Sequence, residues 1–409
     1  MKIVAALILM KLGTGGAASV MSANFVKPIV EEFGVEVNQF TMMISINAVA
    51  MALLYTTASK FLTSKRIGIV MGVASACEVI GLALMSTYHS VYMFYFSGAL
   101  IGAAQAFTGF VAIPIICNMW FKKKTGTVLG VVMAASYVAA VGYNLLSAQL
   151  ITNLGWRSAY QILAVMGLVI TVPAVFVIMK SPEEAGVLPY GAELARPETD
   201  APAKEEYGLT RKQAFKLPLL YVAWIACILI SYGSGVAGYL TPFATMELGQ
   251  SINFGARAAV IMSFGAILSS LVLGWINDKF GVKAGLFWGA ATTAVGYSVM
   301  FLSYNSPAFV YIAGFIVGLS SSMYAVQCPL LARSVVGGKH FPGVWSVMMI
   351  ANSLIGGGLY SSIALFYDKT GTYKGAFIMA IGLFAAAFII GSIAVTMSRR
   401  LKAVDDLIV

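Results

Sequence analysis

Apolar residues in this chain neither alternate nor recur as a single stripe. They run on, almost unbroken, for about 20 residues or more at a time. Twelve such runs lie near residues 3–24, 38–60, 67–87, 91–119, 126–152, 158–179, 217–243, 254–277, 284–303, 307–332, 343–366 and 374–397. A helix of about 20 apolar residues crosses the hydrocarbon core of a bilayer. Each run must be helical, because lipid offers no hydrogen-bond partner to a loose backbone. The pattern predicts an all-α membrane protein with twelve transmembrane helices, called spans 1 to 12 below.

One polar stretch breaks the rhythm. Residues 181–213 contain Pro, Glu and Lys and no long apolar run, which marks a cytoplasmic linker. The expected organisation is a first six-helix bundle (1–180), the linker (181–213), a second six-helix bundle (214–398) and a cytoplasmic tail (399–409). The halves carry similar turns. Gly155-Trp156-Arg157-Ser158-Ala159-Tyr160 separates spans 5 and 6, and Gly371-Thr372-Tyr373-Lys374-Gly375-Ala376-Phe377 separates spans 11 and 12. Two pseudo-symmetric halves are a common basis of alternating access. Near the N-terminus, Lys2 and Gly15-Gly16-Ala17-Ala18-Ser19 imitate a secretory signal. Lys11 interrupts the apolar stretch and the run continues to Val26, so a retained first span is expected.

Composition fits lipid as the solvent. The 409 residues are 59% hydrophobic and 10% charged, against about 25% charged in soluble domains. The net charge of +10 falls in short clusters between the spans, which argues for topology and against nucleic acid. With an even span count, 20 cations lie on the side of the termini and 5 on the other. The positive-inside rule then places both termini in the cytoplasm, in a cell (inner) membrane. The four cysteines, Cys77, Cys117, Cys227 and Cys328, sit inside apolar runs without metal-ligand spacing, and the two histidines lie near helix ends. Neither a metal, a cofactor nor an enzymatic centre is expected, and no phosphate-binding loop for ATP is present.

Two charges sit deep in the apolar runs. Lys11 is near the middle of span 1 and Glu78 is in the middle of span 3. A charge at mid-bilayer costs about 2.5–3.5 kcal/mol and marks a functional candidate. In a regular helix Lys11, Gly15, Ala18 and Ser22 share one small, polar face. Lys11 either meets an anionic substrate, snorkels along its stem, or pairs with Glu78. Glu78 either titrates as a coupling site or is a structural partner.

Gly274-Trp275-Ile276-Asn277-Asp278-Lys279-Phe280-Gly281-Val282-Lys283 resembles the loop between spans 8 and 9 of the major facilitator superfamily. The resemblance covers nearly the whole chain. It implies conformational roles for Asp278, Lys279 and Lys283, with the Asp bracing neighbouring helix ends. The matching loop of the first half has Phe61 in the acidic position. A narrower resemblance is to the oxalate/formate antiporter and monocarboxylate transporter group. It rests on Trp120-Phe121-Lys122-Lys123-Lys124-Thr125-Gly126 with Gly130, on Ser181-Pro182-Glu183-Glu184-Ala185-Gly186-Val187-Leu188-Pro189-Tyr190-Gly191, and on Leu240-Thr241-Pro242-Phe243-Ala244. That group's carboxylate-binding arginine in span 8 has no counterpart, since Ser269, Ser270 and Leu271 lie at that depth. Its lysine in span 11 is missing from Val347-Met348-Met349-Ile350-Ala351-Asn352.

In the superfamily, spans 1, 4, 7 and 10 line the central cavity and span 5 flanks it. The resemblance therefore implies substrate contacts at Lys11, Gln105, Thr108, Tyr232, Tyr239, Tyr324 and Gln327, with Tyr137, Asn144 and Asn352 beside them. The expected function is secondary active transport of a small organic anion, a mono- or dicarboxylate. It would proceed by rocking-bundle alternating access, as proton symport or anion exchange, in a monomer. An amphipathic neutral or cationic solute is the alternative. A transporter-like membrane receptor or sensor is the reading from another class.

Overall fold

The computed structural model describes residues 2–15, 24–63, 66–192 and 209–408, with the side chains of 354–366, 399–408 and a few isolated positions outside that description. Positions 18 and 22 of the expected span 1 face, and most of the linker (193–208), lie outside it too. Every described span is helical. Among the described residues, nine helices are long and apolar enough to cross a membrane. One of them holds spans 5 and 6 together, as a single run Thr125–Ile178 broken at Gly155. The last helix, Lys374–Ile408, does not end where span 12 leaves the apolar run: its backbone stays helical through the expected tail.

Among the described residues, four spans depart from regular α-geometry, and they are 1, 4, 7 and 10. Span 1 follows Lys2–Met10 with a wider π-turn at Lys11–Gly15. Span 4 is interrupted between Val91–Thr108 and Ala112–Trp120. Span 7 passes from Pro218–Gly235 through a 3-10 turn, Val236–Tyr239, to a π-turn, Phe243–Glu247. Span 10 runs Phe309–Gly318, then a π-turn Met323–Gln327, then Cys328–Val336. By contrast spans 2, 3, 8, 9 and 11 are the unbroken helices Val37–Leu62, Ile67–Met85, Ile252–Phe280, Val282–Leu302 and Phe341–Thr370. Irregular backbone at membrane depth is tolerated only where protein or a water-filled cavity satisfies the freed groups. π-turns concentrate at functional sites for the same reason.

The chain forms two compact units. The first is Met1–Lys122 and Ala135–Glu198 with Met349–Leu354, and the second is Lys123–Ala134 and Thr199–Met348 with Ile355–Val409. Each is closed at one end by the same clasp. In the first unit the Glu32 carboxylate accepts the Trp156 indole N–H at 2.6 Å and the Arg157 guanidinium at 2.5 Å. Arg157 also donates to the Tyr88 carbonyl at 3.2 Å and lies 4.1 Å over the Trp156 ring. In the second unit Glu247 accepts the Thr372 hydroxyl at 2.6 Å, the Tyr373 N–H at 2.7 Å and the Tyr304 hydroxyl. Lys374 covers the Tyr304 ring at 4.3 Å. Glu32 and Glu247 are 215 positions apart, as are Arg157 and Thr372. The turns need Gly155 and Gly371, at φ 79° and 68°, because a side chain is strained in the left-handed region.

Glu32 lies outside the spans. Hydrogen bonds from Arg157, and then from Trp156, hold its carboxyl below the ordinary value of 4.5. A depressed folded-state pKa gives stability that is complete above the ordinary value and is lost as pH falls through the lowered one. The melting temperature in detergent should therefore fall on acidification below about pH 4.5, and Glu32→Gln should flatten that slope. An unchanged slope in Glu32→Gln would move the acid sensitivity elsewhere.

Candidate functional site

The π-turn in span 1 changes which residues share a face. It carries Lys11, Gly13 and Thr14 toward spans 3, 5 and 6 of the first unit. Lys11 and Glu78 are each other's charged neighbours. Lys11 is half-buried, and Glu78 is buried at 5% exposure. The Glu78 carboxylate accepts the hydroxyl of Thr108 in span 4 and is also bonded by Thr14. The one Thr14 hydroxyl proton serves either Glu78 or the Met10 carbonyl, which lies 3.0 Å away. The Tyr143 hydroxyl donates to the Gly13 carbonyl at 2.9 Å. Thr171 of span 6 packs so closely on Gly13 that a Cβ there would lie 1.8 Å from its hydroxyl oxygen. The hydroxyls of Thr171 and of Ser75, one turn before Glu78, are buried and without a hydrogen-bond partner among the described residues.

This assembly holds one cation, one acid and several hydroxyls in a medium that penalises unpaired charge. With Glu78 ionised the pair is neutral. A proton on Glu78 leaves the Lys11 charge uncompensated. A positive charge without a partner in such a medium is the electrostatic condition that favours an anion beside it. Lys11, Glu78 and Thr108 were each legible as candidates in the sequence. Thr14, Tyr143, Thr171 and Ser75 were not. Thr14 and Ser75 had one available signal, since each lies three residues from a deep charge.

The other candidates are distributed. Gln105 is half-buried, three residues before Thr108. On span 5, Tyr137 is half-buried, and Asn144 donates to the Ala140 carbonyl while its own carbonyl accepts from Asn24. Asn352, at 2% exposure, has both amide atoms without partners among the described residues, and the adjacent Ser353 donates to the Tyr55 hydroxyl at 3.4 Å. In the second unit Tyr232 and Tyr324 are half-buried, and Tyr239 packs 5.8 Å from the Tyr373 ring near the clasp. Gln327 is fully buried: it accepts from Asn277 at 2.7 Å and donates to the Val282 carbonyl at 2.8 Å. Ser269 and Ser270, at the depth of the missing arginine, are tied to span 10 through the Leu319 carbonyl and the Ser322 hydroxyl.

Asp278 occupies a distinct place in the second unit. Its carboxylate accepts the N–H groups of Gly126 at 2.9 Å and Thr127 at 2.6 Å, the exposed donors at the start of the helix that begins at Thr125. Arg333 donates to the Thr125 hydroxyl at 2.8 Å. Gly130 permits this approach, because a Cβ there would sit 2.1 Å from the Ser270 carbonyl oxygen. Lys279 lies over the Trp275 and Phe280 rings at 4.9 and 5.2 Å, and Lys283 is half-buried. Two of the sequence signatures meet in the first unit. Tyr190 exchanges backbone hydrogen bonds with Trp120 and Lys122 at 2.8 and 2.9 Å, and the Trp120 indole donates to the Lys180 carbonyl at 3.0 Å.

The model of the family described as "Major Facilitator Superfamily" matches residues 7–262 and 223–405. A protein named "Probable inositol transporter 2" from Arabidopsis thaliana is 25% identical over 198 residues, 47% of this chain and 32% of its own length. "MFS-type transporter pytF" from Aspergillus terreus is 23% identical over 201 residues, 48% of this chain and 62% of its own. The chain thus spans less than two thirds of the length of either relative. The solved structure of the proton:xylose symporter XylE bound to 6-bromo-6-deoxy-D-glucose superposes with a TM-score of 0.73 at 13% identity, over 96% of this chain and 95% of that one. At that identity the likeness is one of fold.

Proposed function

The chain belongs to the major facilitator superfamily, and on that premise we propose that it moves a small organic anion together with a proton, by alternating access, through the Lys11–Glu78 pair. The observation that carries this reading is the meeting of the two deep charges in one hydroxyl-lined site. Protonation of Glu78 takes up one positive charge and frees Lys11 to face an anion. The pair with proton and anion bound is again neutral, so the loaded and empty forms carry the same net charge. A site that conserves charge in this way avoids a large electrostatic barrier to reorientation.

A second reading has specific support. Ser269 and Ser270 stand where a carboxylate-binding cation would be, and the first relative carries the name of an inositol transporter. In that reading the solute is a neutral polyol held by hydroxyls and amides, and the pair carries only the proton. One experiment separates them. Purified protein in proteoliposomes should take up a radiolabelled monocarboxylate, and acidify the lumen, when the outside is made acidic. Binding screens then decide solute class, since a ligand at about 100 times its Kd stabilises the fold by about 2.7 kcal/mol. Stabilisation by polyols and not by carboxylates would replace the anion reading with the polyol one.

A further inference from the structure

The first unit carries an exposed groove of about 400 Å³ between spans 2, 3 and 4. All of its lining side chains are apolar. Ala74, Ala103 and Ala104 form its shallow floor, and Phe61 and Phe107, with rings 6.4 Å apart, close one end. From Ile69 to Cys77 the groove follows span 3 for about 12 Å. The end at Phe61 is flanked by cations. Lys60 precedes Phe61, and Arg66 stands one turn before Ile69 at the start of span 3; both are exposed. Residues 37–77 contain no Asp or Glu, and residues 91–120 contain no charge at all; the acid that span 3 does carry, Glu78, follows Cys77 at the far end of the groove and is buried.

We propose that this groove is a binding site for an anionic phospholipid, with one acyl chain along Phe61, Val73, Ala103 and Cys77 and its phosphate at Lys60 and Arg66. Small floor residues make room for a chain that a bulkier surface would push away. The cations select the headgroup, since each basic residue near an anionic lipid surface contributes about 1 kcal/mol, or about fivefold. A zwitterionic lipid fills the groove without that gain.

Cys77 provides the readout, because it is partly exposed in the groove while Cys117, Cys227 and Cys328 are buried. Full-length protein in nanodiscs of phosphatidylcholine, with or without phosphatidylglycerol, would be treated with N-ethylmaleimide and the modified cysteine located by mass spectrometry, with Cys77→Ser as the blank. Phosphatidylglycerol should slow modification of Cys77 by up to about 25-fold, the preference that two cations at about fivefold each provide. Lys60→Gln/Arg66→Gln should remove the slowing. Native mass spectrometry of the unaltered protein should show preferential retention of phosphatidylglycerol over phosphatidylcholine, which tests the site without any variant. Equal modification rates in the two lipids, persistence of the slowing in the double variant, or equal retention of the two lipids would each overturn the assignment.

Discussion

Lys11→Met should fold normally and lose most anion transport. The methionine keeps the length of the stem and packs among the same apolar neighbours of span 1. It leaves Glu78 without the charged neighbour it has among the described residues, and Glu78 keeps the hydrogen bonds from Thr108 and Thr14. Removing one member of a buried charge pair typically costs about 3 kcal/mol of binding, so anion affinity should weaken roughly a hundredfold. Glu78→Gln should behave differently. It fixes the site in the charge state of the protonated pair, so the anion should bind and exchange at equilibrium while a pH gradient no longer drives uptake. The unaltered protein should bind the anion more tightly as pH falls, because the proton and the anion bind together; Glu78→Gln should show a flat profile. The measurements are counterflow, gradient-driven uptake and binding across pH, all in proteoliposomes. Near-normal uptake by Lys11→Met would remove Lys11 from the substrate path. Recovery of the Lys11→Met defect by adding Glu78→Gln would make the pair structural.

Asp278→Asn should lower turnover without lowering affinity. The aspartate contacts no candidate solute-binding residue and instead caps the helix that starts at Thr125, through Gly126 and Thr127. A charged cap at a helix N-terminus contributes about 1–2 kcal/mol. The asparagine retains one acceptor oxygen and gives up the charge that favours the helix terminus. The conformation that makes this contact should lose roughly tenfold in population relative to one that does not. A cycle that must pass through both is then slowed, while equilibrium binding changes by no more than about twofold. Steady-state uptake and equilibrium binding on the same preparation give the two numbers. Normal turnover with collapsed affinity would assign Asp278 to the solute site.

Much of this was legible in the sequence. Lys11 and Glu78 stood out because charge is rare in apolar runs, and Asp278 because its loop resembles a family signature. The winding of the spans was not legible. The π-turns at Lys11–Gly15 and Met323–Gln327 depend on packing, and they decide where a polar side chain points. The same turn that carries Thr14 to Glu78 breaks the regular spacing on which the Lys11, Gly15, Ala18 and Ser22 face relied. Gln327 ends between Asn277 and Val282. Glu32 and Glu247 carried no signal of this kind, because their partners at Trp156 and Thr372 are more than a hundred residues away in the chain.

The 215-residue offset that relates Glu32 to Glu247 and Arg157 to Thr372 holds locally and drifts by a residue or two elsewhere, as between Gly155 and Gly371. Gly34 and Gly249, at φ 63° and 62°, obey it as well. By the same offset Lys11 corresponds to Ala226 and Glu78 to Thr293. The two halves repeat these turns and differ in chemistry. At these two deep positions the first half carries charge and the second does not.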